Sequence, residues 1–270
     1  MARAKGKRGE RRGPRLRLLS INRLLPNVLT VLALCAGLTS MRFALDERWE
    51  AAVLAIILAA ALDGLDGQVA RLLKGQTRFG AELDSLADFV NFGVAPAMAL
   101  YLWVMDQARG FGWFAVLALS VCTALRLARF NSRLDASDRP PWSYRFFTGV
   151  PAPAGAGLAL LPLMLSFQFG LGPIHPLPVG IWTIFVALLM VSNLPTFSTA
   201  GWSVPQKSMV PVLAGVGLVF ALLASEPWLT MTVIGIAYLA SLPFSVRRYR
   251  ELAREDARSV TETPEEENGA

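Results

Sequence analysis

Residues 63–88 read DGLDGQVARLLKGQTRFGAELDSLAD. Four aspartates, Asp63, Asp66, Asp84 and Asp88, stand here inside sequence otherwise apolar enough to cross a membrane. A charged carboxylate at the centre of a lipid-spanning helix costs roughly 2.5–3.5 kcal/mol on insertion scales, so four approach about 10 kcal/mol and need a compensating partner. Asp63 and Asp66 are three residues apart and Asp84 and Asp88 four apart, a spacing that sets each pair on one face of a helix. Two helices meeting at those faces gather four carboxylates around one point, which is a site for divalent metal ions.

The flanking sequence says what kind of protein carries this cluster. Of 270 residues, 54% are hydrophobic and only 17% charged, and apolar runs of about 17–25 residues recur, each long enough to cross a bilayer. This excludes a pair of soluble domains and predicts an all-α polytopic membrane protein. About eight transmembrane helices are expected, near residues 26–44, 49–73, 80–104, 112–130, 150–170, 177–194, 208–224 and 227–244. Pro26 suits the first turn of the first helix. Residues 1–24 form a basic tail suited to resting on anionic lipid, and the charged stretch after Arg247 reads as solvated or disordered.

The net charge of +6 does not point to nucleic acid, because the basic residues sit in tails and short loops without interleaved aromatics. All Lys and Arg residues except Arg42, Arg48 and Arg109 fall on one side of an eight-span topology, which makes that side, with both termini, cytoplasmic. Asp63 lies about 21 Å along its helix from the interfacial Trp49, in the cytoplasmic third of the bilayer. Asp84, Asp88, Asn27 and Thr30 enter from the same side. Polar groups therefore converge at the depth of lipid headgroups. Cys35 and Cys122 read as small packing residues inside spans, and the single histidine, His175, as a loop residue without a role, so nucleophilic triads are excluded.

The stretch D-G-L-D-G-Q-V-A-R, eight residues, then G-A-E-L-D-S-L-A-D resembles the signature of the CDP-alcohol phosphotransferase family at every fixed position: Asp63, Asp66, Gly67, Ala70, Arg71, Gly80, Asp84 and Asp88. Members of that family displace CMP from a CDP-linked lipid or alcohol with a hydroxyl group. The resemblance implies a helical-bundle catalytic domain over residues 25–245, between cytoplasmic tails at 1–24 and 246–270, and a homodimer in the inner membrane of a bacterium. It also implies that Asp63, Asp66, Asp84 and Asp88 hold two Mg²⁺ or Mn²⁺ ions, and that Asp88 is the general base. Hard oxygen ligands suit those ions, and two ions can stabilise both the attacking and the leaving oxygens. Gly67 leaves room for a nucleotide, Ala70 keeps that face low, Arg71 can pair with a phosphate oxygen and Gly80 permits a tight turn. Asn27 and Thr30, in L-P-N-V-L-T, match a family pattern near the nucleotide.

The acceptor is read from other residues. Arg126-x-Ala-Arg129-Phe-Asn131, followed by Phe147-x-Gly149-x-Pro151-x-Pro153, is similar to the bacterial phosphatidylserine synthases of this family, as is Pro195-Thr196-Phe197-Ser198. Val150, Ala152 and Gly155 depart from their fuller G-L-P-S-P-A-A pattern. The expected reaction joins CDP-diacylglycerol and L-serine, with Arg126 or Arg129 pairing the serine carboxylate and Asn131 either an acceptor ligand or a helix cap. Glycerol phosphate, an inositol phosphate or choline is the alternative acceptor within the family. An ion or proton carrier is the alternative outside it.

Overall fold

The computed structural model describes residues 21–73, 77–134, 146–172, 174–197 and 209–262. The expected basic tail up to residue 20, the turn at 74–76, most of the polar segment after Asn131, Ser198 and the last eight residues lie outside the described residues.

Eight apolar helical segments occupy the expected stretches. They are α1 (Ile21–Leu45), α2 (Trp49–Leu72), α3 (Arg78–Asp88) continuing through a π-helical turn (Phe89–Val94) into α4 (Ala95–Trp103), α5 (Gly110–Leu134), α6 (Ala152–Ala159) with α7 (Leu161–Phe169), α8 (Pro176–Val191), α9 (Met209–Ser225) and α10 (Pro227–Glu262). Five are long and apolar enough to cross a membrane alone, and α6–α7, bent by 43°, makes a sixth as one broken span. Two apolar segments are shorter, and α9 starts at the edge of the described residues. α8 has 16 residues and α9 has 17, about 24–26 Å of helix against a hydrocarbon core of about 30 Å.

Other departures have local causes. α1 begins at Ile21, so Pro26 lies inside the helix and not in its first turn. α10 does not stop near Phe244 but continues through the charged stretch to Glu262, with an Arg248–Glu251 pair at i,i+3 on its surface. His175 is not roleless, because its Nδ1 accepts from the Leu177 N–H at 3.3 Å and caps α8. Cys35 faces outward and is not packed inside the bundle.

The bundle core lies where α4, α5, α6 and α8 meet, with Phe92, Leu100, Leu119, Leu163 and Met190 fully buried. α1 runs along α2, and α5 runs along α8. Apolar residues on the outer faces remain uncovered, as expected where lipid replaces water. An element that helical periodicity did not suggest is a two-stranded antiparallel ribbon, β1 (Phe146–Thr148) against β2 (Pro195–Phe197), pairing Phe147 with Thr196. Gly149 closes it with φ +76°. A Cβ there would sit 2.9 Å from the Ser192 carbonyl oxygen and still nearer that of Met190, so only glycine fits beside the end of α8.

Candidate active site

α2 carries Asp63 and Asp66 near its C-terminal end, and α3 carries Asp84 and Asp88. Thr77 starts α3 as its N-cap, its hydroxyl accepting from the Gly80 N–H at 3.0 Å. Carboxylate oxygens of Asp63, Asp66 and Asp84 lie within 4.8 Å of one another. Asp66 is buried at 4% exposure. Asp88, one turn further along α3, falls outside this triplet but stands close to Asp63, and its Oδ1 is sealed from solvent without a hydrogen-bond partner.

Among the described residues, no lysine or arginine forms a salt bridge with any of the four aspartates. Three carboxylates this close repel one another, most of all in surroundings of low polarity. The donor set, hard oxygens only, fits a divalent cation of the Mg²⁺ or Mn²⁺ type. Asp66 is further held by α1, where the Thr30 hydroxyl lies 2.5 Å from Asp66 Oδ2 and 3.1 Å from the Pro26 carbonyl.

Beside the triplet opens a cleft of about 500 Å³. Asn27 and Thr30 of α1, Gly67, Ala70 and Arg71 of α2, and Gly80 of α3 all line it, together with Asp66 and Asp84. These are the residues that sequence reading grouped as the diphosphate and nucleotide site. A Cβ on Gly67 would meet nothing within 4 Å, so that part of the wall is open. Gly80 is the reverse case: a Cβ would approach Asn27 Oδ1 to 2.8 Å and Thr77 Oγ1 to 3.1 Å. Glycine there brings α1 and α3 together at the cleft. The Arg71 side chain is exposed and its Nε donates to the Gly67 carbonyl at 3.1 Å. Pro26, Thr77, Ala81 and Phe130 also line the cleft and were not among the expected site residues. Phe130 had a signal, as the aromatic residue inside Arg126–Asn131.

The expected acceptor residues separate. Arg129 donates through Nη1 to the Val191 carbonyl at 2.8 Å and to Asn193 Oδ1 at 3.0 Å, which ties α5 to the end of α8. Asn131 donates through Nδ2 to Ser85 Oγ at 2.9 Å, which ties α5 to α3 next to Asp84. Arg126 is different. It is within electrostatic range of Asp88, and its buried Nε has no partner. The ribbon brings together the two other stretches read for the acceptor: Thr196 Oγ1 donates to the Gly149 carbonyl at 2.9 Å, and the Gly149 N–H donates to Leu194 O at 2.8 Å.

The π-helical turn follows Asp88 directly. It holds Asn91, wholly buried and with both amide atoms unpartnered, against Gly37 of α1, where a Cβ would overlap the amide. An i→i+5 turn inserts one residue into a helix, so α4 leaves on a different face from α3.

Residues 23–193 match the profile described as CDP-alcohol phosphatidyltransferase, and residues 208–243 match CDP-alcohol phosphatidyltransferase 2. The chain is similar to the CDP-diacylglycerol–serine O-phosphatidyltransferase of Mycobacterium tuberculosis (strain H37Rv), with 43% identity over 92% of this chain and 85% of the relative. It is also similar to the enzyme of that name from Helicobacter pylori (strain J99), at 36% identity over 73% of this chain and 81% of the relative. An archaetidylserine synthase of Methanothermobacter thermautotrophicus is 32% identical over 63% and 68% of the two chains.

Proposed function

The chain belongs to the CDP-alcohol phosphatidyltransferase family, and from that premise we propose that it transfers the phosphatidyl group of CDP-diacylglycerol to the hydroxyl of L-serine, giving phosphatidylserine and CMP. It is a helical membrane enzyme of phospholipid biosynthesis. The observation that carries the mechanism is the meeting of Asp63, Asp66 and Asp84 beside a cleft lined by Asp66 and Asp84 together with Asn27, Gly67 and Arg71.

In this reading Asp63, Asp66 and Asp84 would hold the divalent cation, Mg²⁺ or Mn²⁺, and Asp88 would help with a second. When bound, the metal neutralises charge on the diphosphate and on the leaving CMP. Arg71, exposed at the cleft, can leave the Gly67 carbonyl for a phosphate oxygen. Gly67 faces open space that a nucleotide can enter, and Asn27 and Gly80 line the same cleft. Thr30 keeps Asp66 oriented. Asp88 accepts the serine hydroxyl proton while the serine oxygen bonds to the β-phosphorus. The bond from that phosphorus to the bridging oxygen breaks, and CMP departs with the electron pair. Arg126 pairs the serine carboxylate. Arg129 and Asn131 brace α5 against the end of α8 and against α3.

We further propose that the enzyme is a homodimer in a bacterial inner membrane. The excess of Lys and Arg on one side of the topology supports cytoplasmic termini. The catalytic domain would span residues 25–245, between the two tails.

The test uses purified protein with CDP-diacylglycerol and a panel of L-serine, glycerol 3-phosphate, inositol phosphate and choline, following CMP and the lipid product. Metal-dependent CMP release is expected with serine. Release with another panel member and none with serine would overturn the acceptor assignment.

A further inference from the structure

Resting on the serine reading above, we propose that Tyr238 of α10 is a specificity-determining residue that receives the acceptor carboxylate together with Arg126. Sequence reading did not reach this residue, which lies more than 100 positions from Arg126 and outside the segment 23–193.

Three polar atoms from three helices support the assignment. Asp88 Oδ1 of α3, Arg126 Nε of α5 and the Tyr238 hydroxyl of α10 are each sealed from solvent, and each lacks a hydrogen-bond partner among the described residues. They are also neighbours, since Arg126 lies within electrostatic range of both Asp88 and Tyr238. A buried donor or acceptor left unpaired is costly, and more so for a charged group. Three such atoms in one region mark a candidate polar ligand site.

The fold holds α10 in this position through one face. Leu242 joins the core at 9% exposure and Ser245 is wholly buried. One turn further, the Tyr249 ring meets Phe146 of the ribbon edge-on, 5.3 Å between centroids. Tyr238 lies on that same face, with its hydroxyl close to the Thr196 side chain of β2 but outside hydrogen-bond geometry with it. The ribbon that unites the Phe147–Gly149 and Pro195–Phe197 stretches is therefore also the seat of α10.

The chemistry of the three groups selects the ligand class. A guanidinium N–H and a phenolic O–H are both donors suited to a carboxylate, and a free carboxylate oxygen is suited to a hydroxyl proton. A small hydroxy acid satisfies all three at once: its carboxylate lies on Arg126 and Tyr238, and its hydroxyl points at Asp88. An acceptor that carries no carboxylate leaves the two donors unpaired, which is how a buried polar site rejects a close analogue. The Tyr238 ring also packs against the core, a role that phenylalanine preserves.

The experiment compares full-length wild type with Tyr238→Phe in detergent micelles, measuring kcat, both KM values and thermal unfolding with and without serine. The serine KM is expected to rise roughly tenfold or more, the loss of one hydrogen bond to a charged group. The CDP-diacylglycerol KM should stay within about twofold, and serine should no longer raise the unfolding temperature. An unchanged serine KM in Tyr238→Phe, beside an active wild type, overturns this inference alone. A wild type that releases no CMP with serine overturns the serine reading, and this inference with it. Loss of the fold in Tyr238→Phe also counts against it, because removing an unpartnered hydroxyl should leave the bundle intact.

Discussion

Thr30→Val removes one hydroxyl and keeps the shape of the side chain. In the native protein that hydroxyl lies 2.5 Å from Asp66 Oδ2, and both residues are buried at 4% exposure. A hydrogen bond to a charged group contributes about 1.5–3 kcal/mol, and groups that orient a metal-binding carboxylate typically change metal affinity by roughly 10- to 100-fold. The half-saturating concentration of Mg²⁺ or Mn²⁺ should therefore rise roughly tenfold or more. The assay is a metal titration of CMP release at saturating CDP-diacylglycerol and serine. At saturating metal much of the activity should return, because Asp63, Asp66 and Asp84 all remain. A metal curve identical to the wild type would refute the reasoning. So would a defect confined to the serine KM, which would move Thr30 from the metal site to the acceptor pocket.

Four further outcomes are expected. Asp88→Asn should lower kcat by roughly 10²- to 10⁴-fold, the range for loss of a general base, and leave the CDP-diacylglycerol KM near its native value; intact turnover would remove Asp88 from that role. Gly80→Ala pushes a methyl group against Asn27 Oδ1 and Thr77 Oγ1, so the CDP-diacylglycerol KM should rise more than the serine KM, as steady-state kinetics with each substrate varied would reveal. Arg129→Ala loses both donations to the end of α8 and should lower the unfolding temperature in detergent with little change in serine KM; the opposite pattern would return Arg129 to the acceptor carboxylate. Gly149→Ala meets a positive φ and the carbonyls ending α8. It should destabilise the fold by about 1–3 kcal/mol, measured by thermal unfolding.

The site was more legible in the sequence than the outline of the bundle, for physical reasons. Helical spacing alone puts Asp63 with Asp66 and Asp84 with Asp88, and the apolar surroundings require those carboxylates to find a common partner. The 4.8 Å grouping of Asp63, Asp66 and Asp84 follows that logic. The grouping could not separate Asp88 from the other three, since that depends on how α3 is rotated against α2. The π-helical turn left no trace in periodicity, because one inserted residue leaves Phe89–Val94 as apolar as an ordinary helix. The ribbon was hidden by length: three residues on each side are too few for an alternating pattern. Hydropathy ended the last helix near Phe244, but arginine and glutamate are good helix formers, and α10 runs on to Glu262. Tyr238 was invisible for another reason, since only tertiary packing brings it near Arg126.

The central claim is that the serine hydroxyl displaces CMP at a metal-bound diphosphate held by these aspartates. Its most direct test supplies serine labelled with ¹⁸O in the hydroxyl to purified protein and CDP-diacylglycerol, with Mg²⁺ or with chelator, and analyses the products by mass spectrometry. The account expects the label in the phosphodiester of phosphatidylserine, unlabelled CMP, and no product in chelator. Label appearing in CMP, unlabelled phosphatidylserine, or equal turnover without metal would contradict it.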